Sequence, residues 1–97
     1  MAQFDVHRLD DGLVIDCQAN LLAHLNTRVV VPLIPQDLAP APARRFNPVF
    51  IVAGENYVMD TQFASAIHRR ELGAVVASLA DHSFEICDAF DILISGV

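Results

Sequence analysis

Gln3-Phe4-Asp5-Val6-His7-Arg8, then Leu9-Asp10-Asp11-Gly12, then Leu13-Val14-Ile15-Asp16-Cys17-Gln18 is the stretch on which the fold turns. In its first segment Phe4 and Val6 alternate with Gln3, Asp5 and His7. That period of two marks a half-buried strand, because successive side chains of a strand point to opposite faces. The third segment resumes the alternation, with Leu13, Ile15 and Cys17 set against Val14, Asp16 and Gln18. Asp10, Asp11 and Gly12 supply turn chemistry between them, so residues 3–18 predict a β-hairpin.

Outward from the hairpin, Ala19 to Asn26 is looser and holds the adjacent apolar pair Leu21 and Leu22. Thr27 to Leu33 is a β-branched run whose Pro32, lacking an N–H for a ladder, predicts an edge position or a bulge. Pro35, Pro40 and Pro42 make residues 35–42 a long loop. Val49 to Val52, the turn Ala53-Gly54-Glu55-Asn56 and Tyr57 to Met59 predict a second hairpin. Phe63 to Arg69 reads as a further short strand and Glu71-Leu72-Gly73 as a connection. Five or six short strands result.

The C-terminal stretch has a different period. Ile86, Phe90, Leu93 and Val97 recur at helical spacing, with Cys87 and Ile94 on the neighbouring stripe. Asp81 or Ser83 is placed to cap the start, and Gly96 to cap the end. Glu85, Asp88 and Asp91 form a polar side that Ile92 interrupts. A helix apolar on more than one side needs two things to pack on, here the β-core and either a second subunit or a target.

The 97 residues are 54% hydrophobic and 19% charged, with a net charge of −6. Mean hydropathy is +0.41. A chain of this length hides only about 60–65% of its unfolded surface. So much apolar surface on so small a fold therefore predicts a homodimer. One domain over residues 1–97 is expected. No apolar run approaches the roughly 18 residues of a membrane span, and Gln3, Asp5, His7 and Arg8 occupy the place of a secretory signal's apolar region. The expected location is cytoplasmic, with no membrane partner. Cys17 and Cys87 lie far apart in sequence and outside any metal-binding spacing, which predicts reduced, buried thiols.

All six basic residues are arginine, against twelve carboxylates. That is the wrong sign for a phosphate-binding surface, so no direct nucleic-acid contact is expected. His7, His24, His68 and His82 are scattered without metal spacing, which predicts no metal and no cofactor. Asp81, His82 and Ser83 are triad residue types, but sequence neighbours cannot adopt a triad's geometry. Asp10 and Asp11 read as solvated turn residues. Catalysis is not expected. Arg44 and Arg45 read either as a solvated surface or as a contact patch for an acidic or disordered partner segment, to which planar guanidinium groups are suited.

The order Gln3-Phe4-Asp5-Val6, Val14-Ile15-Asp16-Cys17-Gln18, Arg28-Val29-Val30-Val31-Pro32-Leu33, Asn47-Pro48-Val49 and a terminal apolar helix ending Gly96-Val97 resembles the CcdB family of toxins over essentially the whole chain. Phe63-Ala64-Ser65-Ala66-Ile67 resembles a further family segment. The resemblance implies an SH3-like barrel of the CcdB/MazF type: mostly β, an antiparallel sheet, a C-terminal α-helix and a symmetric dimer. It also implies a toxin of a toxin–antitoxin module, which binds the DNA gyrase A subunit and traps the enzyme on cleaved DNA. A CcdA-like antitoxin would neutralise it and help repress the shared operon. Carried over by position, the gyrase contact is Ser95, Gly96 and Val97, with Asp91 one helical turn earlier and the pair Leu21 and Leu22; the antitoxin contact is assigned to Arg44 and Arg45. Ser95 stands at the family's tryptophan, Asp91 at its asparagine and Ile67 at a proline, and there is an apparent one-residue insertion before Gly73. A non-poisoning homologue that binds antitoxin, and a MazF-like endoribonuclease, are the alternatives.

Overall fold

The structure is a computed structural model that describes residues 2–97. Its strands are β1 (Asp5–Leu9), β2 (Gly12–Asp16), β3 (Thr27–Pro35), β4 (Val49–Val52), β5 (Glu55–Met59), β6 (Ser65–His68) and β7 (Val75–Ser78), and α1 (Ser83–Ser95) closes the chain. Every pairing is antiparallel. Six strands run in the order β4-β5-β3-β2-β1-β7, and β6 joins β3 beside β5. The result is the expected curled, half-barrel antiparallel sheet with a C-terminal helix.

The core face is a row of apolar side chains in register across the sheet. Val6 sits opposite Ile15, and Ile15 opposite Val31, all three fully buried. Leu33 and Met59 continue the row, Phe50 and Val52 extend it, and Ile86 and Ala89 of α1 close over it. Alternation in β1 and β2 therefore identifies the core face correctly.

The opposite face is not solvated as a half-buried strand requires. His7, Val14, Asp16, Arg28 and Val30 are all buried there. β6 flanks β3 and β7 flanks β1, so residues 69–74 link the two sides of the curled sheet. The Arg69 N–H donates to the Asn26 carbonyl (2.7 Å), and His7 Nδ1–H donates to the Gly73 carbonyl (3.0 Å). These bonds, with the Gly73 N–H to the Arg8 carbonyl and the Arg8 N–H to the Ala74 carbonyl, fasten the link at both ends. Gly73 itself is required by space: a Cβ there would stand 2.8 Å from the Arg8 carbonyl oxygen.

Several boundaries differ from the sequence expectations. The first strand opens at Asp5 rather than Gln3, because Phe4 is left-handed at φ 71° and its N–H turns to the Asp16 carbonyl. β3 is central, not an edge. Pro32 is tolerated there because the Cys17 N–H bonds the Val29 carbonyl, which by alternation makes Val14 and Pro32 a pair without ladder hydrogen bonds. Its nitrogen then faces the gap between β6 and β5. β7 has no counterpart in the sequence reading. The strand at 63–69 contracts to β6, with Phe63 closing a 3₁₀ turn, Thr61–Phe63. Neither Asp81 nor Ser83 caps α1; His82 holds that position without a side-chain cap.

Candidate functional site

The residues that sequence reading assigns to a partner contact fall in two places. Asp91, Ser95, Gly96 and Val97 lie at the free end of α1, and Leu21 and Leu22 lie in the 3₁₀ turn Asn20–Leu22 that follows β2.

α1 is buried only in its first half, through Ile86 and Ala89. Beyond Phe90 it projects from the core, leaving Ile94 82% and Val97 78% exposed. Gly96 ends the helix in the left-handed conformation (φ 79°), and its N–H bonds the Ile92 carbonyl at 2.9 Å. This is the termination a C-terminal glycine predicts, since glycine carries no Cβ penalty at positive φ. The Ser95 hydroxyl turns back to the Asp91 carbonyl (2.6 Å) and presents little to a partner.

Leu21 is 87% exposed, yet the turn that carries it is anchored in the protein's most buried polar cluster. Asp16 and Arg28 form an ion pair at 0% and 1% side-chain exposure. Arg28 Nε donates to Asp16 Oδ2 at 2.9 Å. Nη2 reaches the same oxygen at 2.6 Å but off its N–H axis, an electrostatic contact without an aligned hydrogen bond. Asp16 Oδ1 accepts from the Gln18 N–H. Buried Gln18 then bridges the turn to the sheet: its Oε1 accepts from the Val29 N–H (3.1 Å), and its Nε2 donates to the Leu22 carbonyl (2.9 Å). Asn20 Oδ1 accepts from the Gln3 N–H, closing the turn on its other side.

Sequence reasoning passed over this cluster as the polar side of a strand. The available signal was the repetition of polar types, Asp16, Gln18 and Arg28, inside otherwise apolar strands. Uncompensated burial of such groups is costly, so they have to satisfy one another.

Cys17 packs against the core and its thiol pKa is pushed up, chiefly by burial, then by the Asp16 carboxylate and by the nearby Cys87 of α1.

Arg44 and Arg45 separate. Arg45, left-handed at φ 62°, makes a bidentate pair with Asp88 of α1 at 2.9 and 2.7 Å. Arg44 is exposed and makes no side-chain hydrogen bond or ion pair among the described residues. Among those residues no group of three or more His, Cys, Asp and Glu could hold a metal ion, and no helix is long and apolar enough to cross a membrane.

The family model of the CcdB protein matches residues 3–96. The chain belongs to the CcdB family. Individually curated proteins give no significant match. Family membership makes the chain a toxin of the toxin–antitoxin kind, and the buried residues Asp16, Gln18 and Arg28 fall within the matched span.

Proposed function

We propose that this CcdB-family chain acts in the cytoplasm as a homodimeric toxin that binds the DNA gyrase A subunit, traps the cleaved DNA complex without catalysis of its own, and is neutralised by a CcdA-like antitoxin. The observation that carries the reading is an apolar tip with nothing of its own chain to cover it. Ile94 and Val97 project beyond the core, and Leu21 stands exposed in the turn after β2. Isolated exposed leucines are ordinary, but Leu93, Ile94 and Val97 left uncovered together at one helix end mark an interaction surface. An acidic chain with Arg28 buried and Arg45 already paired fits a protein partner better than an RNA groove.

Ser95 supports a second reading. Its hydroxyl is folded onto Asp91, so the anchoring aromatic that dominates many interfaces is missing. A homologue that binds antitoxin and co-represses its operon would tolerate that loss.

Controlled expression in a gyrase-containing bacterium separates the two. Growth arrest with accumulated cleaved complexes supports the poison, and arrest without cleavage favours a ribonuclease. Growth without cleavage favours the antitoxin-binding homologue. Gly96→Glu is expected to abolish any gyrase effect while leaving the fold intact, read by circular dichroism and by cleavage; retained poisoning would remove the helix end from the contact.

A further inference from the structure

We infer that Gln18 is a positioning residue for partner binding, holding the Leu21-Leu22 turn in a preset geometry from within the buried cluster. The inference rests on the reading of Leu21 and Leu22 as part of the gyrase contact. Three observations converge on it. Gln18 is buried, although glutamine is a residue that normally seeks solvent. Both ends of its amide are used, one on the sheet (Val29 N–H) and one on the turn (Leu22 carbonyl), so the side chain replaces the ladder that β2 and β3 stop making after Cys17. Its own N–H is fixed by Asp16, whose carboxylate is in turn fixed by Arg28.

The turn needs such a clamp because little else orders it. None of Asn20, Leu21 and Leu22 is buried, and no side-chain cap completes the 3₁₀ turn. An apolar contact residue on an unanchored loop loses part of its binding free energy to ordering when it docks. A turn held beforehand avoids that loss. The fold thus spends a buried amide at Gln18 where an apolar side chain would fill the space with no hydrogen bonds to satisfy.

The test uses the full chain and immobilised DNA gyrase A subunit as the probe. Gln18→Met keeps the volume and removes both bonds. Gln18→Glu keeps an acceptor for the Val29 N–H but replaces the donor to Leu22 with a second buried carboxylate beside Asp16. Each is expected to weaken gyrase binding about tenfold, the equivalent of one net hydrogen bond. Amide exchange across residues 19–26 should quicken while β1, β2 and α1 stay protected. In a Leu21→Ala background, itself expected to weaken binding about tenfold or more, either substitution should cost less than about twofold further, because Gln18 acts through the turn. Val52→Ala, a core change in β4, is the control for general destabilisation and should leave affinity unchanged.

Unchanged affinity in both Gln18 variants, or a cost fully additive with Leu21→Ala, would overturn the inference while leaving the gyrase contact standing. No binding by the parent chain, or no effect of Leu21→Ala, would remove the contact reading and this inference with it.

Discussion

The β2–β3 end of the sheet and the free end of α1 solve opposite problems with opposite materials. At the first, the charged and polar side chains Asp16, Arg28 and Gln18 are withdrawn from water and satisfied by one another. At the second, the apolar side chains Ile94 and Val97 are left in water and satisfied by nothing in the chain. A small fold can tolerate exposed apolar surface only if the scaffold beneath it is well determined, and a hydrogen-bonded buried network determines geometry more tightly than apolar packing does. The two regions are therefore complementary: one fixes the shape, the other displays the surface.

Removing one partner of the buried pair should give the largest effect. Arg28→Met leaves the Asp16 carboxylate unpaired in the interior, and an uncompensated buried charge costs about 3–5 kcal/mol. Denaturant unfolding should show that loss. The double change Asp16→Leu with Arg28→Met removes both charges and should recover most of it. Failure to recover would mean that Asp16 matters mainly through its hydrogen bond to Gln18, and the contrast with the helix end would sharpen.

The helix carries the same contrast within one element. Ile86→Ala empties a fully buried site and should cost about 2–5 kcal/mol. Ile94→Ala, one residue type but two turns later and exposed, should change unfolding of the chain by no more than about 0.5 kcal/mol. A large effect of Ile94→Ala that grows with protein concentration would show that a second copy covers the helix end. Gly96→Ala should cost about 1 kcal/mol or less, since alanine must adopt φ near 79° or let the last turn fray.

How much of this was legible follows from which physical signals are local. Gly96 could be assigned from sequence because its role is set by its own φ, and the run Val49 to Val52 because β-branched residues flanked by a turn need no further context. In the core row, Val6 and Ile15 followed from period two, whereas Val31 lay in a β-branched run that showed no alternation. The burial of His7 and Asp16 did not follow from it, because their partners, the Gly73 carbonyl and Arg28, are distant in sequence. Phe4 broke the first strand early through a left-handed φ that an aromatic residue rarely adopts, forced by bonds to Asp16 and Leu79. β7 is only Val-Val-Ala-Ser, too short to carry a period, and exists because the edge of β1 is open to it. At the candidate site the exposed residues were named from resemblance, while the cluster that holds them could be found only by assembling strands twelve residues apart.

The smallest effect belongs to the ion pair that ties the loop before β4 to the helix. Arg45 holds the Asp88 pKa down chiefly through its hydrogen bond, against an opposing desolvation and with a smaller help from its charge. A carboxyl whose folded pKa lies below its unfolded value contributes stability above the unfolded value, about 3.9. That contribution disappears as pH falls through the lower folded value, when Asp88 takes up a proton and the bidentate pair opens. Asp88→Asn should therefore flatten the dependence of the unfolding midpoint on pH on the acid side, its small loss being present at pH 7 and vanishing as pH falls through the folded Asp88 value. Added salt should reduce the difference, since the pair is solvent-exposed and screened. A salt-independent loss at pH 7 would instead place the Arg45 loop among the rigid parts of the scaffold, and would move the boundary between fixed shape and displayed surface from β2 and β3 out to the middle of the helix.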